Sequence, residues 1–410
     1  MIKAIVVCPD VKNLTYKRNK EARLFEAYNL ALSLDIEVIG KLIVNVSNIS
    51  PATFISLGGV DKIKEIAGED AGLVIMDCAL SPVQQRNLEK VLNMKVIDRT
   101  ALILEIFGKR AKTKEGVLQV ELAHLTYQRS RLVRSWTHLE RQRGGGGFLG
   151  GPGEKQVELD RRIIDDKIIK IKKDLEKVKQ TRYLHRKSRD KVPYPVVALV
   201  GYTNAGKSTL FNYLTKSEVY AKDQLFATLD PTMRELRLPL GSRVILSDTV
   251  GFISDLPHSL IAAFSATLEE VINADVILHV RDLANEETAA QKDDVLAVLK
   301  ELEVEKEPIE VLNKIDLLDY RPLNSEDCCG VSALTGEGVE NLLAVIEHSL
   351  SIGKNECEIK LPSHQGYKIA WLYRNGTVLS KKILEDETII NVRLSNDNLK
   401  RWEALNDTDD

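Results

Sequence analysis

The chain is poor in cysteine, and the five it has are not arranged for metal or disulfide chemistry. Cys8, Cys78, Cys328, Cys329 and Cys357 show no metal-binding spacing among the 410 residues, and the adjacent pair Cys328-Cys329 is a poor start for a disulfide framework. They read as reduced thiols of a cytosolic protein. His258, His364 and the other histidines also fail to form a metal spacing. No basic-then-apolar signal segment opens the chain, and no apolar run approaches membrane-spanning length. Net charge is small, −3 from 57 Lys and Arg against 60 Asp and Glu, and by itself excludes little. A hydrophobic content of 44% is ample for packed cores, and the length suggests roughly two to four domains.

What is present begins with Gly201-Tyr-Thr-Asn-Ala-Gly-Lys-Ser208, which reads G-x-x-x-x-G-K-S. An apolar run, Val196-Val-Ala-Leu-Val200, precedes it as a buried strand, and Thr209-Leu-Phe-Asn-Tyr-Leu214 follows with the spacing of a helix start. Strand, glycine loop and helix are the context of a phosphate-binding loop, in which backbone N–H groups and the helix N-terminus face the phosphates. Lys207 would reach the outer phosphates and the Ser208 hydroxyl would ligate Mg²⁺.

Three further motifs follow in the order a GTPase needs. Ser247-Asp-Thr-Val-Gly251 ends the strand Arg243-Val-Ile-Leu246; Asp248 would hold Mg²⁺ through water, and the Gly251 N–H would meet the terminal phosphate. Asn313-Lys-Ile-Asp316 follows the strand Ile309-Glu-Val-Leu312. The Asp316 carboxylate can accept both the ring N–H and the amino group of guanine; adenine lacks the ring donor, which would cost about 1–3 kcal/mol or more. This disfavours an ATP-driven remodeller. Lys314 can lay its stem over the base, Asn313 can tie the base loop to the phosphate loop, and Ser332-Ala-Leu334 would close the pocket with backbone N–H groups. Each motif alone is weak; four in order, each at a strand end, define a GTPase. After Gly251 stands Phe252, where many GTPases carry a glutamine that orients water, and a phenyl ring cannot do so. Hydrolysis is then slow alone or completed from elsewhere.

Residues 1–112 alternate strands (Ile2–Cys8, Leu73–Asp77, Met94–Asp98) with helices (Glu21–Leu34, Val60–Ala67, Pro82–Leu92), an α/β domain without a nucleotide signature. Asp98-Arg-Thr100 reads as a helix cap before a site. Next, Leu118, Leu122, Leu125, Leu132, Trp136 and Leu139, then Val157, Ile164, Ile168, Ile171, Leu175 and Val178, keep a 4-3 spacing that predicts an antiparallel helical hairpin over 113–192. Its tip, Arg143-Gly-Gly-Gly-Gly-Phe-Leu-Gly-Gly-Pro-Gly153, is predicted non-helical. From Arg129 to Lys191 there are 19 Lys and Arg against 9 Asp and Glu, so the rest of the chain carries about −13. Such a split suits a surface for RNA; a solvated coiled coil is the other reading. The segment from about Glu356 is predicted as a small α+β piece: strands Glu358–Leu361 and Thr388–Arg393, a helix Tyr367–Arg374 stopped at Asn375-Gly376, and a disordered acidic tail over 406–410.

The chain resembles the HflX family of ribosome-associated GTPases over nearly its whole length. The stretches that carry this are Asp98-Arg-Thr-Ala-Leu-Ile-Leu-Glu-Ile-Phe107, Gln119-Val-Glu-Leu-Ala123, Gly151-Pro-Gly-Glu154, Leu225-Phe-Ala-Thr-Leu-Asp-Pro-Thr232, Leu256-Pro-His258 and Ala266-Thr-Leu-Glu-Glu270. The resemblance implies an α/β chain with an N-terminal α/β domain (1–112), a helical hairpin linker (113–192), a P-loop GTPase domain (193–353) and a small C-terminal domain (354–410). It implies a Mg²⁺-dependent, cytoplasmic GTPase that binds the large ribosomal subunit and its RNA and splits or rescues stalled ribosomes; the alternative is a GTP-gated RNA-binding or assembly module that does not split subunits. A monomer is expected when free. The first switch would place a Mg²⁺-ligating threonine at Thr228, with Thr232 as alternative. Asn204 matches the position that holds K⁺ in cation-activated GTPases, and a loop-stabilising asparagine is the other reading.

The nucleotide residues expected are therefore Gly201, Tyr202, Thr203, Asn204, Ala205, Gly206, Lys207, Ser208 and Thr209; Phe226, Ala227 and Thr228; Asp248 and Gly251; Asn313, Lys314 and Asp316; and Ser332, Ala333 and Leu334. Lys207, Thr228 and Gly251 are expected to serve catalysis, and Ser208, Thr228 and Asp248 to hold the metal. Two positions depart from the family pattern: Gly150 stands where Arg is usual before Gly-Pro-Gly-Glu, and Leu334 where Lys is usual.

Overall fold

A computed structural model describes residues 2–68, 70–135, 152–189, 194–216, 225–226, 228–255, 265–351, 354–362, 365–384 and 387–407. Near the N-terminus, β1 (Lys3–Val11), β2 (Glu37–Val46), β3 (Leu73–Met76) and β4 (Lys95–Asp98) form a parallel sheet in the order β2-β1-β3-β4. Ala4 to Cys8 are fully buried, as a strand covered on both faces requires. The helices over it are α1 (Lys20–Leu32), α2 (Leu57–Ala67), α3 (Pro82–Leu92) and α4 (Arg99–Arg110). Sequence reading missed β2, an edge strand with alternating exposure whose apolar residues are broken by Gly40, Lys41 and Asn45. The expected cap is present: Asp98 Oδ1 accepts from the Ala101 amide at 2.8 Å and starts α4. The same carboxylate accepts from Tyr127 at 2.8 Å and pairs with Arg131, so it also fastens the next helix to the sheet.

That helix, α5 (Lys114–Ser135), packs antiparallel on α6 (Pro152–Arg189). Leu125, Ile168, Ile171 and Leu175 form the seam with Leu118, Leu122 and Ile164, all members of the 4-3 pattern. Arg129, which fills a seam slot, donates to Asp165 at 3.0 Å. Pro152 and Gly153, assigned by sequence to the non-helical tip, instead open α6, where proline at the first helical position forfeits no intrahelical hydrogen bond. The rest of the expected tip, with Trp136 and Leu139, lies outside the described residues.

A second sheet runs β10-β9-β8-β5-β7-β6, built from β5 (Val196–Gly201), β6 (Thr232–Arg237), β7 (Arg243–Asp248), β8 (Val276–Asp282), β9 (Ile309–Asn313) and β10 (Cys328–Gly330). Only β6 is antiparallel to its neighbour. The C-terminal sheet is antiparallel, β11 (Lys354–Pro362), β13 (Glu387–Ser395) and β12 (Thr377–Ile383) in that order, and Leu372 and Trp402 from two helices close its core with Ile390, Val392 and Leu394. Sequence reading missed β12 and the last helix, Asn396–Asp407; Asn406 and Asp407 belong to that helix and not to a disordered tail. Among the described residues no helix is long and apolar enough to cross a membrane.

The first two sheets share one core. Leu102, Phe107 and Val120 belong to the same buried cluster as Tyr202, Phe226, Leu229, Val250 and Phe252. Beside it sits an ionic network. Glu26 of α1 pairs with Arg18 and with Arg99, whose side chains are 6% and 8% exposed. Tyr202 Oη donates to Glu26, Ser254 Oγ donates to Glu26 at 2.6 Å, and the Ser254 amide donates to Tyr202 Oη at 2.7 Å. Burial pushes the Glu26 carboxyl up, but Arg99 and Arg18 more than offset this and hold it below the usual carboxylate range. Removing one partner of such a network strands the others: Glu26→Ala should cost about 3–5 kcal/mol in chemical unfolding. Tyr202→Phe should cost less, about 1–3 kcal/mol. Equal, small losses in the two variants would show the network to be solvated.

Candidate nucleotide site

The phosphate loop lies between β5 and α7 (Lys207–Thr215), as its motif requires. Gly206 has φ 91°, and a Cβ there would meet Asn313 Nδ2 at 2.1 Å, so no other residue fits. Lys207 Nζ donates to the carbonyls of Gly201 and Tyr202 at 3.1 and 2.9 Å, folded over the loop it serves. Burial lowers its ammonium to about 8, with Asp248 opposing the shift. A side chain at Gly251 would stand 3.1 Å from Lys207 Nζ, which puts the Gly251 backbone at the phosphate end of the site.

Three hard oxygens converge beside the lysine. Ser208 Oγ donates to Asp248 Oδ2 at 2.7 Å, Thr228 Oγ1 donates to the same oxygen at 3.0 Å, and the two hydroxyls are 2.8 Å apart. Asp248 Oδ1 is buried and accepts no hydrogen bond among the described residues. Burial raises the Asp248 carboxyl, with Lys207, Ser208 and Thr228 pulling the other way. Hydroxyl and carboxylate oxygens, with one carboxylate oxygen left over, are the donor set Mg²⁺ takes. Thr228 joins the cluster; Thr232, the alternative, opens β6 on the strand beside Asp248.

At the other end, Asn313 is 1% exposed and does what its position predicts. Its Nδ2 donates to Ala205 O at 2.8 Å and its Oδ1 accepts from the Ala333 amide at 3.0 Å. Lys314 Nζ pairs with Asp282 at 2.7 Å, and the half-buried Asp316 carboxylate accepts no hydrogen bond among the described residues. The amides of Ser332 and Ala333 are committed, to Glu337 O and Asn313 Oδ1, so of the three expected to close the pocket only the Leu334 amide is uncommitted among the described residues. The Leu334 side chain is 77% exposed.

Other expected residues make contacts within the fold. Phe226 turns its ring onto Phe107, edge-on at 4.6 Å, away from the oxygen cluster. Phe252 is 2% exposed and exchanges backbone hydrogen bonds with the phosphate loop, accepting from Thr203 at 2.7 Å and donating to Gly201 at 3.1 Å. The ring therefore packs in the core and orients no water. Asn204 is exposed with φ 62°, a left-handed conformation asparagine tolerates. Thr203 and Ala205 are buried within the loop, and Thr209 lies half-buried in the first turn of α7. Ala227 lies outside the described residues. Sequence reading missed the set that backs the loop, Arg18, Glu26, Arg99 and Ser254; the one trace was Arg99 inside a motif that otherwise looked like a cap.

A glycine loop closed over its lysine, an oxygen cluster at its helix, and a base loop tied back by Asn313 define a P-loop GTPase. The family models agree. They match "GTP-binding GTPase N-terminal" at residues 21–108, "GTP-binding GTPase Middle Region" at 110–189, "50S ribosome-binding GTPase" at 196–314 and "HflX C-terminal domain" at 318–404. A GTPase HflX of Magnetococcus marinus is 50% identical, covering 91% of this chain and 88% of its own. The GTPase HflX of Escherichia coli is 45% identical over 83% of this chain and 82% of its own. A solved structure, that of SsGBP with GDP, aligns at 24% identity and a TM-score of 0.49 over 86% of this chain and 99% of that one, and carries no weight for the site. The chain belongs to the HflX family of GTPases; it binds GTP and hydrolyses it.

Asn313 gives the most direct check on the site's frame. Asn313→Ala leaves the Ala205 carbonyl and the Ala333 amide unpaired in a buried setting. The cost should be about 2 kcal/mol, roughly 30-fold in GDP affinity measured by fluorescent-nucleotide titration. Affinity unchanged within about twofold would mean that the two loops hold together without the side chain.

Proposed function

We propose that this chain is a Mg²⁺-dependent GTPase that in its GTP state binds the large ribosomal subunit and dissociates or rescues stalled ribosomes. It acts in the cytoplasm and is a monomer when free. The working parts are divided near residues 112, 192 and 353. Ser208, Thr228 and Asp248 would hold the Mg²⁺, which would neutralise charge developing on the phosphates. Lys207 would contact the outer phosphates and the Gly251 amide the terminal one. Asp316 would select guanine, with Lys314 and the Leu334 amide at the base.

The observation that carries the ribosome reading is the long basic helix α6, packed on α5. α6 runs 38 residues, and Arg161, Arg162, Lys167, Lys170, Lys172 and Lys173 are all exposed on it. A rigid rod with that charge fits a phosphate-lined RNA surface. The family model described as a 50S ribosome-binding GTPase supports the same partner. The burial of Phe252 supports low intrinsic hydrolysis, completed when the partner orients the water.

Co-sedimentation with purified large subunits tests the reading. Binding should be at least tenfold tighter with a non-hydrolysable GTP analogue than with GDP, and should weaken steeply as salt rises. With intact ribosomes, GTP should also release free subunits. Binding that ignores the nucleotide would defeat the proposal; nucleotide-dependent binding without subunit release would leave an RNA-binding module that does not split ribosomes.

A further inference from the structure

The switch segment that brings Thr228 to the oxygen cluster is fastened to the root of the hairpin by a carboxylate. Two residues after Thr228, Asp230 Oδ2 accepts from the Lys112 and Thr113 amides, both at 2.9 Å, and Oδ1 accepts from the Thr113 hydroxyl. Those donors lie at the entrance to α5, the first helix of the hairpin. Leu229, between the two residues, is 2% exposed, and Phe226 on the other side is held on Phe107 of α4. Thr228 therefore reaches the metal cluster from a segment held at both ends by the N-terminal part of the molecule. On the hairpin side, Gly116 sits in the first turn of α5, and a Cβ there would meet Asp230 Oδ1 at 2.3 Å. A glycine that early in a 22-residue helix costs helix stability, and the carboxylate above it explains why no side chain stands there.

We propose that Asp230 is a positioning residue that ties the metal-site threonine to the root of the helical hairpin. Contacts of Thr228 with the metal and the terminal phosphate would distinguish GTP from GDP, and contacts of that kind order switch segments. With Asp230 in place, a shift of Thr228 either carries the start of α5 with it or breaks the bonds at Lys112 and Thr113. The linkage runs both ways: whatever seats the hairpin must change the preference for GTP by the factor by which GTP changes the seating. That the seat is the ribosome rests on the function proposed above; that the hairpin and the metal site are linked does not.

The test uses the full chain and two substitutions on opposite sides of the contact. Affinities for GDP and for a non-hydrolysable GTP analogue with Mg²⁺ are measured for wild type, Asp230→Ala, Gly116→Ala and the double variant. Each single variant should lose about fivefold or more for the analogue while GDP stays within about twofold. The double variant should be no worse than Asp230→Ala, because without the carboxylate the added methyl group has nothing to strike. Asp230→Asn, which keeps one carbonyl acceptor, should recover part of the loss and stands in if alanine unfolds the segment. Equal losses for both nucleotides, single variants that keep the wild-type ratio, or losses that multiply in the double variant would overturn the proposal. With large ribosomal subunits, Asp230→Ala should erase the nucleotide dependence of binding. A wild-type protein that binds no subunits in either state would remove the ribosome reading and leave the nucleotide ratios to decide the role of Asp230.

Discussion

One buried carboxylate holds the molecule's two halves in register. Glu26 arrives from helix α1 of the N-terminal domain and accepts from Arg18, Arg99, Tyr202 and Ser254 at once. Tyr202 is the second residue of the phosphate loop, and Ser254 lies three residues beyond Gly251. The back of the nucleotide site is thus built by another domain. An ion pair this deep would be a poor source of stability by itself, since desolvation cancels much of the attraction. Its value is that only one docking of the two sheets satisfies all its members, and the shared apolar cluster of Phe107, Phe226, Leu229 and Phe252 follows the same geometry.

Seen from that joint, the site is fixed on three sides by different kinds of contact. The phosphate loop is held behind by Tyr202, above by Phe252 and at its far end by Asn313, each through hydrogen bonds that leave little slack. The switch threonine is held through Phe226 and Asp230 to helices α4 and α5. The hairpin is in turn held to the N-terminal sheet by Asp98, through Tyr127 and Arg131. No part of the path from phosphate to hairpin crosses a free linker among the described residues, and mechanical work of the kind proposed requires that continuity.

Much of this was legible in the sequence, for a physical reason. Phosphate, metal and guanine recognition depend on short backbone geometries next to strand ends, so Gly201–Ser208, Asp248–Gly251 and Asn313–Asp316 announce themselves. The hairpin seam was legible from its 4-3 spacing. Roles that depend on tertiary docking were not: nothing local shows that the Phe226 ring will pack on Phe107, or that Glu26 will meet Tyr202 across 176 positions. Asp230 stands in the sequence only as part of the Leu225–Thr232 stretch, and nothing local shows that it will accept from Lys112 and Thr113. The edge strand β2 and the half-polar β12 were missed because exposure on one side dilutes the apolar pattern that marks buried strands.

The claim that the N-terminal domain builds the rear wall of the nucleotide site is tested most directly by hydrogen exchange on the full chain carrying Glu26→Gln. That substitution keeps shape and removes the charge that Arg18 and Arg99 share. The account predicts faster amide exchange over residues 202–208 and 250–254, in a domain that the substituted residue does not belong to. Exchange that changes only near residues 18–32 and 99–110, with the phosphate loop as protected as before, would contradict it.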